Sequence, residues 1–182
     1  MTTLAEWLAA NGAHHDVVTW ARPYGDDWAK AWAECPRGDW LLGLAARRGV
    51  ERARLVRAAC ACARLALDHV ADDEARPLAA IEAAERWADG EDDPESRRVA
   101  ARDADAAIDG APDPAVAAAA TAALAALGSI ERPGEAASAA AAVAQASVLD
   151  AGECAMMSAL AYAQSTCADR VRERIELDAI VP

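Results

Sequence analysis

The chain has 182 residues, of which 53 are alanine, six tryptophan, two tyrosine and none phenylalanine. Thirty acidic against 18 basic side chains give a formal net charge of −12, which argues against a nucleic-acid binder, because neutralising phosphates needs clustered Lys and Arg. At 54% apolar the chain is too rich in buriable surface to stay disordered, and its length suits one domain.

Strand signals are nearly absent, and helix signals recur from end to end. Thr3 and Glu6 have capping-box spacing ahead of Trp7-Leu8, and Gly12 follows that helix. A second helix, from Asp16 to Arg22, is expected to stop at Pro23. Asp26-Asp27 open a third with Trp28 and Trp32 four residues apart, closed by Pro36. Asp39 reads as the N-cap of a fourth, with Gly49 as its stop.

From about Val50 to Val70, the residues Val56, Cys60, Ala63, Leu67 and Val70 form one apolar stripe at helical spacing. Arg54, Arg57, Ala61, Arg64 and Asp68 lie on another face. Arg76 to Asp89 is the next helix, with Pro77 near its start and Gly90 as its stop; Leu78, Ile81, Ala84 and Ala88 face inward, with Trp87 on the margin. Asp93-Pro94 and Asp113-Pro114 open two more, to about Asp109 and Gly128, and Pro133-Gly134 precede another to about Asp150. The last, about Glu153 to Leu177, is expected to bury Met156, Leu160, Ala163, Cys167 and Val171.

The expected fold is therefore all-α: about ten helices in a single Ala-rich bundle or a stacked helix-pair array. One domain over 1–182 is expected, with Trp-rich helices 1–49 packed on an Ala-rich core 50–182. Trp at these spacings reads as core filling, since one large ring buries more area than several alanines. No repeat of fixed length is present.

No basic segment followed by an apolar run opens the chain, and Ala115–Leu127 is shorter than the roughly 20 residues that span a bilayer, so a cytoplasmic protein without membrane contact is expected. The five cysteines, Cys35, Cys60, Cys62, Cys154 and Cys167, are expected as free thiols, mostly buried, with Cys35 the most exposed. Cys60-x-Cys62 with His69 does not make a metal site, because residues i and i+2 of a helix point apart. No Gly-x-Ser-x-Gly or phosphate-cradling Gly loop is present, and the carboxylates fall in solvated runs; no catalytic residue, metal or cofactor is expected.

Two stretches resemble a known family. One is Trp32-x-x-Cys35-Pro36-Arg37-x-Asp39-Trp40-Leu41-Leu42. The other begins Ala59-Cys60-Ala61-Cys62-Ala63-Arg64 and continues through Arg76-Pro77-Leu78-x-x-Ile81-Glu82-Ala83-Ala84-x-x-Trp87-Ala88-x-Gly90-Glu91. Together, over residues 32–91, they resemble the all-helical immunity proteins of bacterial polymorphic toxin systems. There a Cys-containing helix precedes a Pro-x-x-Ala-Ile-x-Ala-Ala-x-x-Trp-Ala-x-Gly helix, and Ala-rich helices follow. That family carries histidines in its later helices; Ala136 to Ala163 has none. The resemblance implies a non-catalytic protein that binds a cognate toxin. A helical adaptor outside toxin biology, or an enzyme of unrecognised type, are the alternatives.

Charge supplies a candidate surface. Residues 1–64 carry a net of +2 and residues 65–182 a net of −14; Asp68 to Asp113 alone carries −10, whereas Arg47 to Arg64 carries +5. The expected partner is a protein, such as a basic toxin domain, met by Asp72, Asp73, Glu74, Glu91, Asp92 and Asp93 in two loops flanking the Arg76–Asp89 helix. These loops form two rims about 20 Å apart, at 1.5 Å per helical residue. The alternatives are a solvated face or an interface on the Arg47–Arg64 side.

Overall fold

Short polar side chains cap four of the helices, at Thr3, Asp27, Asp93 and Asp113, and prolines or glycines lie in most of the connections. The computed structural model, which describes residues 2–181, holds ten α-helices and, among those residues, no strand. In α1 (Leu4–Ala10) the Thr3 hydroxyl accepts the Glu6 N–H at 3.2 Å, and the Glu6 carboxylate accepts the Thr3 N–H at 2.9 Å. α2 (His15–Ala21) runs straight into a 3-10 turn, Arg22–Tyr24. The α-helix stops just before Pro23, as expected, and the proline sits in the 3-10 turn, where its missing N–H forfeits no bond. Asp27 caps α3 (Trp28–Glu34), accepting the Lys30 N–H at 2.9 Å.

α4 (Gly38–Arg48) corrects the expected cap. Arg37, with extended backbone, precedes the helix. Asp39 lies inside the first turn, its carboxylate clamped by the Arg37 guanidinium at 3.0 and 2.6 Å. A carboxylate held bidentate is not free to turn onto the helix N–H groups. Gly49 closes α4 at φ +73°, as expected of a helix stop.

The helix expected to reach Val70 is also shorter. α5 covers Arg52–Ala63, and at Arg64 the chain tightens into a 3-10 segment, Arg64–His69. Three residues per turn align Ala63, Ala66 and His69. Ala66 is thus buried, while Leu67 and Val70 are only partly covered. α6 (Arg76–Ala88), α7 (Pro94–Asp109), α8 (Pro114–Gly128) and α9 (Glu135–Asp150) follow the expected boundaries closely. On α6 Ile81, Ala84 and Ala88 are buried, and Leu78 only partly. α10 is Met156–Arg172, followed by a 3-10 turn at Leu177–Ala179. Ala163, Cys167 and Val171 are buried as expected, but Leu160 is half-buried and Met156 is 39% exposed. This end of α10 stands clear of its neighbours, since residues 152–158 are all exposed.

α8 and α9 form the centre. α8 packs on α9, α5, α6 and α7; α9 packs on α8, α10, α4 and α5. Eight alanines of α8 are buried, which suits a helix apolar on nearly every side. Alanine has the best helix propensity and lets axes approach closely. Large side chains anchor the periphery, and the buried residues form one contiguous cluster from Leu4 to Ile180. Trp28 and Trp32 belong to this core; Trp7, Trp20, Trp40 and Trp87 are partly covered and pack against it. Trp7 meets Trp28 edge-on at 5.3 Å, and the Arg48 guanidinium lies 5.4 Å from both rings. Among the described residues no helix is long and apolar enough to cross a membrane.

All five cysteines are free. Cys35, expected as the most exposed, is buried: the Arg172 guanidinium donates to the carbonyls of Trp32, at 3.0 Å, and Cys35, pulling this loop onto α10. Cys154, in the loop before α10, is the exposed thiol.

The closest backbone approach joins α4 to α10. A Cβ on Gly38 would meet Cys167 Cβ at 2.5 Å and the Cys167 carbonyl carbon at 2.8 Å. Gly38→Ala is therefore expected to cost about 1–3 kcal/mol, because backbone must shift to admit the methyl group. Gly134→Ala, where nothing lies within 4 Å, is expected to be neutral or slightly stabilising. Urea unfolding of both variants checks this; equal midpoints would refute the close approach.

Candidate functional site

The two acidic loops sit where the sequence places them, at opposite ends of α6, whose 13 residues separate them by about 20 Å. They are not brought together, and their six carboxylates are not equivalent. Glu74 is half-buried and is gripped by Arg76, whose Nε donates at 2.8 Å and whose backbone N–H donates at 3.0 Å. The side-chain bond from Arg76 holds the Glu74 carboxyl down to about 2. Asp92 pairs with Arg97 at 2.9 Å. Asp93 caps α7, accepting the Glu95 N–H at 3.1 Å and the Ser96 hydroxyl at 2.5 Å. The Ser96 bond, above all, lowers its carboxyl below the ordinary value. Asp72, Asp73 and Glu91 are exposed and, among the described residues, have no cation within ion-pair distance. Three of the six carboxylates are thus consumed by local structure, and three face solvent free.

A groove of about 640 Å³ opens between α5 with its 3-10 extension, α6 and the end of α10, and none of the six carboxylates lines it. Arg57, Ala61, Arg64 and Asp68 line it from one side, Glu85 and Asp89 from another, Arg170 and Arg174 from the third. Arg64 and Glu85 form a two-pronged pair at 2.8 and 2.6 Å. Arg57 donates to the Asp89 carboxylate at 3.0 Å and to the Ala88 carbonyl at 2.5 Å. The Arg57, Ala61, Arg64, Asp68 spacing was visible in the sequence, but its acidic partners on α6 were not, because they belong to a different helix. These pairs clamp α5 to α6 and leave the groove electrically mixed.

Nucleophiles are muted. Burial pushes the Cys35 thiol up to about 11 and raises that of Cys60 further. Cys62 is raised by its contact with Cys167 and by burial. Cys60 points to the Ile81 carbonyl at 3.8 Å and Cys62 to the Cys167 carbonyl at 3.6 Å, so the two thiols face different neighbours. Among the described residues no three His, Cys, Asp or Glu side chains are placed to hold a metal ion.

One grouping escaped the sequence because its members lie 78 residues apart. His69 reaches Ser147 Oγ at 3.4 Å and the Asp150 carboxylate at 3.3 Å. The Ser147 hydroxyl lies 3.1 Å from the Val143 carbonyl and donates within its own helix. A hydroxyl proton rotates between acceptors, so Ser147 has two partners within reach, the Val143 carbonyl and the His69 ring.

No known protein-family model matches the chain, and neither a curated protein nor a solved structure matches it.

The Glu74–Arg76 pair gives a pH prediction. The folded carboxyl is depressed, so the stability it contributes is present above the ordinary carboxylate range and is lost as pH falls toward about 2. Arg76→Ala should return the Glu74 titration to the ordinary glutamate range, read by NMR of its side-chain carboxyl. An unshifted titration would show that the arginine is not the cause.

Proposed function

We propose that this chain is a non-catalytic protein-binding module, an immunity protein that neutralises a cognate bacterial toxin by binding it directly in the cytoplasm. The reading is carried by the free carboxylates of Asp72, Asp73 and Glu91, held at the two ends of one rigid helix on a segment of net charge −10. Such a surface suits a basic target, a nuclease domain for instance, because opposite fields speed association and steer docking. The resemblance over residues 32–91 supports it as well. The residues that carry the likeness, such as Trp32, Ile81, Ala84 and Ala88, are buried packing positions, so what they share with that family is a scaffold. The burial of four of the five thiols favours binding over catalysis.

Co-expression with the toxin domain encoded beside its gene should restore growth of the host, and the purified pair should co-elute. Failure of both would overturn the proposal in favour of a helical adaptor. Within the complex, association should slow steeply with added salt. The variant Asp72→Lys, Asp73→Lys, Glu91→Lys should slow it about tenfold with the fold intact, since it touches no ion pair or cap. Asp92 and Asp93 are the wrong residues to reverse, because doing so would break the Arg97 pair and the α7 cap. An unchanged association rate would place the interface elsewhere.

A further inference from the structure

A second cleft, of about 350 Å³, lies between the 3-10 segment 64–69, the end of α9 and the first half of α10. We propose that it docks an arginine or lysine side chain presented by the protein partner. The inference rests on the binding-module reading for the source of that side chain, but not for the chemistry of the cleft.

Its walls are made for a cation on an apolar stem. Leu65, Val143, Ala159 and Ala163 supply apolar surface against which a methylene chain can lie. Asp150 brings a carboxylate to this cleft, and Asp68, which also lines the arginine-bearing groove, borders it; no lysine or arginine lines the cleft itself among the described residues. Neither carboxylate has an arginine or lysine within ion-pair distance there; Asp150 touches only His69, at 3.3 Å. The nearest cation along α10, Arg170, lies one turn beyond Thr166 and is held by Glu173 at 3.1 Å.

Asp150 is also in an electrostatically poor place. It is the last residue of α9, where unpaired carbonyls already give negative potential and a carboxylate is unfavourable. An incoming cation would relieve both. Tyr162, 74% exposed, offers its ring as a further wall for a guanidinium or ammonium group.

The surroundings select a peptide over a small free cation. Leu149, beside Asp150, is 45% exposed, and Met156, one turn before Ala159, is 39% exposed; Met157 next to it is 77% exposed. These apolar side chains stand on the two segments that flank the cleft, where a docked peptide could cover them, and flexible methionines adapt to apolar neighbours of the docked residue. A free cation would leave them uncovered.

The probes are the peptides acetyl-Leu-Arg-Leu-amide and acetyl-Leu-citrulline-Leu-amide, which differ only in charge, titrated into the purified chain and followed by backbone NMR. The arginine peptide should shift the Asp68, Ser147, Asp150 and Thr166 signals, with a dissociation constant of about 1 mM or tighter. The citrulline peptide should bind about fivefold more weakly. Asp68→Asn with Asp150→Asn should erase that difference; the fold should hold, because neither carboxylate has an arginine or lysine partner. Tyr162→Ala should weaken the arginine peptide severalfold without moving the thermal midpoint.

Equal binding of the two peptides, no shift at the cleft, or guanidinium chloride binding as tightly as the arginine peptide would each overturn the proposal. Peptide selectivity without rescue from the toxin would sink the immunity reading alone. Rescue without peptide selectivity would sink the cleft alone.

Discussion

The α8–α9 pair is the constraint on which the other helices depend. Its contact faces are alanine, so the two axes can lie close, and away from the ends only a narrow stripe of each helix, Thr121 on α8 and Ser138, Ala141 and Gln145 on α9, faces water. The rest of each helix must be covered. α4, α5, α6, α7 and α10 provide that cover, each laying its own apolar stripe against the pair. Alanine buries little area per residue, so holding this arrangement falls to the sparse large side chains: Leu41, Leu42, Leu55, Val56, Ile81 and Val143.

The two chain ends reinforce the bundle from outside. Ile175 and Ile180 are fully buried. The Arg172 guanidinium donates to the backbone of the Trp32–Cys35 turn, and Arg48, laid against two tryptophan rings, donates to the Val181 carbonyl at 3.3 Å. The tryptophans thus do two jobs: Trp28 and Trp32 fill core, and Trp7 with Trp28 forms a surface for a cation from the chain itself. Gly38 belongs to the same seam, because only a residue without a side chain lets α4 begin against Cys167.

Charge is divided by the fold into spent and unspent groups. Arg64 with Glu85 and Arg57 with Asp89 fasten α5 to α6, while Glu74, Asp92 and Asp93 secure the loops at either end of α6. Asp72, Asp73 and Glu91 on the rims are among the carboxylates left without a cation within ion-pair distance among the described residues. A carboxylate already bonded to an arginine or a helix N-terminus has little field left to offer a partner.

Helix identity was legible in the sequence because it rests on local signals. Thr3 with Glu6, Asp93-Pro94, Asp113-Pro114 and Gly49 act within a turn of where they stand, and the all-α class followed from them. The inward faces of α6 and of α10's second half were also readable from spacing. Asp39 was misjudged because its choice lay between helix N–H groups and Arg37, and side-chain geometry decided it. Cys35 and Met156 exchanged their expected exposures because burial depends on what packs from a distance, here Arg172 in one case and nothing in the other. The tightening at Arg64 that turns His69 toward α9, the partners of each carboxylate and the cleft itself join residues far apart in the chain. Periodicity tells which side of a helix is apolar; only packing tells which neighbour that side meets and which charges are left without one.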